Sequence, residues 1–302
     1  MLNKMVVPKS WRWRLAGEIR RRVPDVRGRT LLSKMVFGPR DVTTTIHFGP
    51  NLVFDLNLRD LDEFATWFPQ FQPPALGPLL DRVLRGGDGF VDVGANIGLY
   101  SCWAARIVGS SGWVHAFEPV PSTFEVLRHH VEQNRLGDTV RVTRAAVGDH
   151  PGTVTLYKIA EASGLTSSYP REPNSQPVEV PVVTIDSQMT GGPRPRLVKV
   201  DVEGFEQHVL GGMSGLLTSD NPPVVAMELS DRQLRSAGSS VEALLADVKG
   251  LGYETWRITT RGLRMLPAET NRDMNVVLLH PAWHEHEARL LAQTRFPRDW
   301  TT

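Results

Sequence analysis

From residue 89 onward the apolar positions gather into short runs: Phe90–Val93, Trp113–Phe117, Val140–Val147, Leu197–Val202 and Val224–Leu229. Between them the spacing becomes helical, with Ile97, Ser101, Ala104 and Val108 on one face and Phe124, Leu127 and Val131 on another. Short apolar strands alternating with helical patterns predict an α/β fold with a parallel sheet and crossover helices. The spacings Ser122 to Glu125 and Ser239 to Glu242 have the form of capping boxes and predict two helix starts. Toward the end, Tyr253–Ile258 and Asn275–His280 read as two further strands closing the sheet as an antiparallel pair. Ahead of this core, residues 40–60 alternate apolar and polar positions around Gly49-Pro50, the pattern of a hairpin.

One interval breaks the rhythm. Residues 148–184 hold a short strand at Thr153–Tyr157, a polar stretch over 162–177 and another strand at Val178–Thr184. Long loops within compact domains are usually functional, so a substrate-facing lid at about 158–177 is expected, with a mobile surface loop as the alternative.

Composition narrows the class. Of 302 residues, 41% are apolar and 22% charged, which suits a globular chain with a sizeable core and excludes disordered or fibrous classes. There is no apolar run long enough to cross a bilayer and no secretory leader pattern at the start, so a cytoplasmic location is the default expectation. A single cysteine, Cys102, leaves any special chemistry to carboxylates, histidines, lysines or a cofactor. The net charge of +1 hides an asymmetry: residues 1–40 carry eleven Lys and Arg against Glu18 and Asp25, and the remainder is acidic, which argues against a general nucleic-acid surface. A helix capped by Ser10, with Trp11, Leu15, Ile19 and Val23 on one stripe and arginines around it, would pack on the body or touch an anionic membrane surface.

The densest signal is Asp92-Val-Gly94-Ala-Asn96-Ile-Gly98, which follows a strand and opens a helix. Glycines there permit a tight turn and close ligand approach, and Asp92 could accept from a cationic amine. Glu118 ends the next strand, where a carboxylate can hold two ribose hydroxyls. A dinucleotide site wants G-x-G-x-x-G for its pyrophosphate, whereas G-x-N-x-G behind a carboxylate favours a donor that carries an ammonium, S-adenosylmethionine. Adenine would lie near Arg144–Asp149, with Asp149 either accepting from its amine or serving as a turn residue.

A second block, Lys199-Val-Asp201-Val-Glu203-Gly204, puts three ionisable residues at alternate positions of one strand, hence on a common side at the carboxyl edge of the sheet. Glu228 would bring a further carboxylate there from Val224–Leu229. Asn221-Pro222-Pro223 is similar to the tetrad that grips an extruded base, but Val224 follows it and it leads into a strand, so a loop is the simpler account.

The segments FVDVGANIGLYS (90–101), HAFEPVPSTFEVLRHHVEQN (115–134), RAAVGD (144–149), VPVVTIDS (180–187) and LVKVDVEGFEQHVLGG (197–212) together resemble the FkbM family of S-adenosylmethionine-dependent methyltransferases, over residues 50 to 280. The resemblance implies a class I methyltransferase, Rossmann-like, with a seven-stranded sheet whose last strand is antiparallel. The patterns along the chain divide it into an amino-terminal helical and hairpin extension over 1–85, a methyltransferase domain over 86–282 and a tail over 283–302; the first 50 residues and the part after 281 lie outside the resemblance. The resemblance places Asp92, Gly94, Asn96 and Gly98 along the methionine and ribose of the donor, Glu118 on the ribose, and Ala146 at adenine. It also assigns Lys199, Asp201, Glu203 and Gly204 to the methyl-transfer site; Ser230 stands where members often have a histidine.

The implied reaction is O-methylation of a sugar, glycolipid or polyketide-type hydroxyl, with N-methylation of a peptide or amine, or a non-catalytic scaffold, as the alternatives. Asp201 or Glu203 would take the proton with Lys199 tuning the carboxylate, and His208 is read as a surface or packing residue. A Mg²⁺ ion held by Asp201, Glu203 and Glu228 could instead acidify the hydroxyl. Trp67, Phe68 and Ser163–Ser168 are candidate walls for the acceptor.

Overall fold

The structure is a computed structural model and describes residues 43–48, 51–60, 63, 76–159, 162–167, 175–266 and 273–296. The basic helix expected near Ser10, Trp67, Phe68 and the Gly49-Pro50 turn lie outside the described residues.

Strands β1 (Thr43–Phe48) and β2 (Leu52–Asn57) form the expected antiparallel hairpin, with Thr43 opposite Asn57 and Phe48 opposite Leu52. Its alternation buries Ile46, Phe48, Leu52, Phe54 and Leu56 in the same apolar cluster as Leu79, Leu80 and Val83 of helix α1 (Gly77–Val83). The central layer follows as β3 (Gly89–Val93), α2 (Leu99–Val108), β4 (Trp113–Phe117), α3 (Pro121–Gln133) and β5 (Val140–Thr143). The free edge of β2 is covered by side chains of this layer. Asn134 accepts from Val53 N at 2.8 Å and donates to Val53 O at 2.7 Å, the bonds a neighbouring strand would make.

The run expected as one strand over Val140–Val147 is two. After Thr143 the chain turns, Ala145 N bonding to Thr143 O, and β6 (Ala146–Val147) joins a second sheet with β7 (Gly152–Ile159), β8 (Ala162–Ser167) and β9 (Gln176–Val183), in the order β6-β9-β7-β8. The first part of the polar stretch expected to be a flexible lid is therefore strand β8, paired antiparallel with β7 across a bulge. Residues 168–174 are outside the described set.

The chain then returns through a short helix α4 (Ile185–Gln188) to β10 (Leu197–Val200), the short helices α5 (Glu206–Gly211) and α6 (Ser214–Leu217), β11 (Val224–Leu229), α7 (Asp231–Ser236) and α8 (Val241–Gly250). It closes with β12 (Glu254–Thr259), β13 (Gly262–Met265), β14 (Met274–Leu279) and α9 (Glu285–Ala292). The large sheet has the order β13-β12-β14-β11-β10-β3-β4-β5. Five strands from β5 to β11 are parallel, and β14 inserts antiparallel between β11 and β12, the arrangement expected for the last strand of the seven. An eighth strand, β13, extends the edge as a hairpin with β12; four residues bearing a glycine and an arginine give too little pattern to announce a strand.

Neither expected capping box forms. Helix α3 starts at Pro121 with Val120 before it, and at α8 the cap is Ser240, whose hydroxyl accepts from Ala243 N, while Ser239 donates to Gln207. Among the described residues no helix is long and apolar enough to cross a membrane.

Strands β3 and β10 lie side by side with their partners running off in opposite directions, so the sheet order reverses between them. A crevice opens at the carboxyl ends of strands at such a reversal.

Candidate active site

The loop leaving β3 meets the loop leaving β10 at this crevice. Gly94 has φ +76, and a methyl group built on it would overlap the Asp201 carbonyl oxygen and stand 3.0 Å from its carbon. Glycine at 94 is thus demanded by contact between the two loops, as well as by its left-handed backbone. At Gly98 (φ +88) the added carbon would stand 2.5 Å from Leu127 of α3, so this glycine serves helix packing rather than ligand approach. Asn96 is also left-handed (φ 49), and its buried Oδ1 has no protein partner.

Glu118 closes the loop from the β4 side. One carboxylate oxygen accepts from Asn96 N and the other from Val120 N, both at 3.0 Å. Burial pushes this carboxyl up to about 7, with Asp92 adding to the rise, against the opposing pull of the two amides and Lys199.

Lys199 stands opposite Asp92 in the β10–β3 register, and both are buried. Its ammonium donates to Gly94 O at 2.9 Å and lies 3.1 Å from Asp92 and 3.4 Å from Asp201. Burial works against that charge, but Asp92 and Asp201 outweigh it and hold Lys199 protonated, above its usual range. Asp92 is fully buried and also accepts from Ser101 Oγ at 2.6 Å. The protein thus sets an amine of its own beside Asp92, whose Oδ1 has no hydrogen-bond partner.

Of Lys199, Asp201 and Glu203, expected at alternate positions of one strand, only Lys199 lies within it; Asp201 follows just past its end and still keeps its carboxylate 3.4 Å from the Lys199 ammonium. The strand ends at Val200, and Glu203 (φ 58) and Gly204 (φ +106) turn through the left-handed region, which breaks the period of two. The Glu203 carboxylate is thereby taken to α7, where Gln233 Nε2 donates to it. Gly204 packs on the same residue: a methyl there would lie 2.7 Å from Gln233 O. Inside the turn, Glu206, 1% exposed, accepts from Gly204 N at 3.0 Å; burial pushes its carboxyl up to about 7, with Asp201 adding. Glu228 ends β11, half-buried on the neighbouring strand as expected.

A cavity between these loops is lined by Glu63, Asn96, Tyr100, Lys199 and Asp201, together with the backbone at Gly94. Asp201 presents a side chain 35% exposed. The Tyr100 ring lies 5.3 Å from the Lys199 ammonium, and its phenol is kept protonated by burial and by the nearby Asp201, Glu228 and Asp92 charges, despite a backbone hydrogen bond at Leu76. Glu63, Tyr100 and Glu206 were not anticipated. Glu206 stands three positions after Glu203 at the end of the acidic block, and Tyr100 is the second residue of the helix after Gly98, so both were within reach of the motifs. Glu63, which precedes the loop by some thirty positions, has no local signal.

Of the expected residues Gly94, Asn96, Lys199 and Asp201 line this cavity, and Asp92, Gly98, Glu118, Glu203, Glu228, Ala146 and Asp149 do not. Ala146 is buried at the start of the second sheet, against Leu156 and Val180. Asp149 pairs with His208 at 3.1 Å and His150 at 2.7 Å; burial works against its charge, but His208, with His150 second, holds the carboxyl below the usual range. His208, stacked on Phe205 with centroids 4.2 Å apart, thus has a packing and hydrogen-bonding role.

The Mg²⁺ alternative finds no support in the donor geometry. Among the described residues no three His, Cys, Asp or Glu side chains converge as ligands, Glu203 is turned to Gln233, and the Lys199 ammonium lies beside Asp201.

Residues 92–255 match the model of the methyltransferase FkbM domain, more than half of the chain. The chain belongs to the FkbM methyltransferase family. Its relatives include the hexuronic acid methyltransferase AglP of Haloferax volcanii, 33% identical over 136 residues, a match covering 44% of this chain and 53% of AglP. The 31-O-demethyl-FK506 methyltransferase FkbM of Streptomyces tacrolimicus is 29% identical over 201 residues, covering 56% of this chain and 74% of that protein. The matched stretch thus spans about half the length of AglP. The solved structure of M. jannaschii TYW2 in complex with AdoMet superposes with a TM-score of 0.42 at 13% identity, covering 79% of this chain and 85% of that one. The fold assignment rests on the strand order and the family match.

Proposed function

We propose that this FkbM-family chain transfers a methyl group from S-adenosylmethionine to a hydroxyl of a small-molecule or glycan acceptor, of the sugar, glycolipid or polyketide type. One observation carries this reading: the contact between Gly94 and the Asp201 carbonyl, which sets the donor loop and the acidic tip of β10 side by side at the point where the sheet order reverses.

The residues present fit the donor. Each Glu118 oxygen has given one lone pair to a backbone amide and keeps capacity for a ribose hydroxyl, and the Asn96 Oδ1 is a buried acceptor without a protein partner. Gly94, Asn96 and Gly98 shape the loop, and Asp92 acts through Lys199 rather than on the ligand. Ala146 and Asp149 form the adenine side of the same reading. S-adenosylmethionine, when bound, supplies an electrophilic methyl on a sulfonium.

Asp201 is the proton acceptor in this reading. The hydroxyl becomes acidic only as its oxygen gives electron density to the incoming methyl, so its proton passes to the Asp201 carboxylate as the bond forms. Lys199 fixes its orientation and, with its N–H groups directed to Gly94, Asp92 and Asp201, has no base function itself. Glu203, latched to Gln233, and Glu228 shape the edge around it.

The test joins donor binding to turnover. S-adenosylhomocysteine should raise the melting temperature saturably, and the enzyme should methylate members of a glycoside panel rather than amines. Asp201→Asn should lower kcat by about 10²–10⁴ while donor affinity stays within twofold. Unchanged kcat would remove Asp201 from the mechanism, and binding without turnover on any hydroxyl or amine would leave a scaffold.

A further inference from the structure

Glu206 is a buried carboxyl near the acidic tip of β10 that takes no direct part in the methyl transfer. It opens α5, five positions after Asp201, and is 1% exposed. Burying a carboxyl is costly unless its oxygens are engaged. Here Oε1 accepts from Gly204 N at 3.0 Å, so the side chain folds back onto the turn that precedes its own helix.

That turn lies beyond the reach of the sheet. The ladder between β3 and β10 ends with the bond from Asp201 N to Val93 O, 3.1 Å. Among the described residues no main-chain acceptor takes the amides of Val202, Glu203 or Gly204. The backbone then passes through two left-handed residues in succession, Glu203 (φ 58) and Gly204 (φ +106), and the first of them carries a β-carbon. A residue other than glycine keeps that conformation only where its surroundings over-determine it. From outside the turn, Gln233 of α7 donates to the Glu203 carboxylate and packs its carbonyl on Gly204. From inside, the Glu206 carboxyl takes the Gly204 amide.

What Glu206 supplies there is an oxygen rather than a charge. Its Oε2 is buried without a well-formed hydrogen bond, which suits the protonated oxygen of a neutral carboxyl. Burial pushes the group up to about 7 and the Asp201 charge adds to the rise, against the pull of the Gly204, Glu206 and Val202 amides. The neutral form is therefore populated at neutral pH, and its carbonyl oxygen still accepts from Gly204.

We propose that Glu206 is a positioning residue for Asp201: by clamping the Gly204 amide it fixes the left-handed turn that sets the Asp201 carboxylate beside Lys199 and the donor loop. The proposal rests on Asp201 being the proton acceptor.

Two variants of similar side-chain length separate the clamp from the charge. Glu206→Gln keeps an oxygen for Gly204 N and loses the charge, whereas Glu206→Met fills the space with an apolar chain and loses the acceptor. In the full chain, kcat of Glu206→Gln should stay within about threefold of wild type, and that of Glu206→Met should fall about tenfold or more. Calorimetric affinity for S-adenosylhomocysteine should stay within about twofold in both, since the clamp acts on Asp201 and not on the donor. Hydrogen exchange at the Gly204 amide should be about tenfold faster in Glu206→Met than in wild type or Glu206→Gln. Equal loss of turnover in the two variants would assign the effect to the charge and overturn the proposal, as would wild-type turnover in Glu206→Met. Loss of folding or of donor affinity in Glu206→Met would show a role in the fold alone, with the same result. The donor reading fails separately: it is overturned by a wild type that neither binds S-adenosylhomocysteine nor methylates a hydroxyl, whereas unchanged exchange at Gly204 in Glu206→Met removes the clamp itself.

Discussion

Replacing Gly94 by alanine is the most direct probe of the contact between the donor loop and the acidic tip. The new methyl group meets the Asp201 carbonyl, standing 3.0 Å from its carbon and overlapping its oxygen. Three effects add. A residue with a β-carbon in the left-handed region costs about 1–2 kcal/mol. Forcing apart two packed backbone segments costs roughly 1–3 kcal/mol. As the 201 peptide retreats, the bond from Asp201 N to Val93 O, now 3.1 Å, is weakened, worth about 1 kcal/mol more. Gly94→Ala should therefore lose about 3–6 kcal/mol in urea denaturation. Gly238→Ala is the internal comparison: it has φ +88 and nothing within 4 Å of the added carbon, so only the backbone cost of about 1–2 kcal/mol applies. Turnover should fall in Gly94→Ala even where the protein is still folded, because Asp201 moves with its carbonyl. If the two variants lose the same stability, the loops are not packed on each other and the site as described is wrong.

Donor affinity should depend on pH through Glu118, whose carboxyl is pushed up to about 7. Ribose hydroxyls bind the ionised form, so affinity for S-adenosylhomocysteine should be greatest above 7 and drop as the carboxylate protonates below it. The fall between pH 8 and 6 should be about tenfold, by the usual tenfold limit per pH unit. Calorimetry across this range checks it, and Glu118→Gln should bind weakly with a flat profile; a slope retained in that variant would assign the titration to another group. Asn134→Ala should cost about 2–3 kcal/mol, since it removes two bonds and strands the Val53 backbone groups. Hydrogen exchange at the Val53 amide should quicken accordingly, and unaltered protection there would show that Asn134 does not anchor the hairpin.

Much of the fold was legible because burial leaves a periodic trace. Strands β3, β4, β10 and β11 are sandwiched on both faces and read as apolar runs, and the β1–β2 hairpin has one wet face and so alternates. The glycine loop was legible too, since left-handed turns and close backbone contacts select glycine, although Gly98 answers to Leu127 rather than to a ligand. The departure of β6 into a second sheet was hidden, because Val140–Val147 is apolar enough to pass as a single strand and the turn at Ala145 involves only backbone bonds.

Local order along the chain determined the strand–loop–helix unit at 90–101, the acidic strand end and the family they signal, since each depends on residues within a few positions of one another. Partner choice was decided by the tertiary structure alone. Lys199 could be placed on the site edge from its spacing, but that its ammonium neutralises Asp92 follows from the register between two strands more than a hundred residues apart. Glu203 goes to Gln233 for the same reason: a side chain's electrostatic partner is set by distance in space, and alternation along a strand predicts it only while the strand continues.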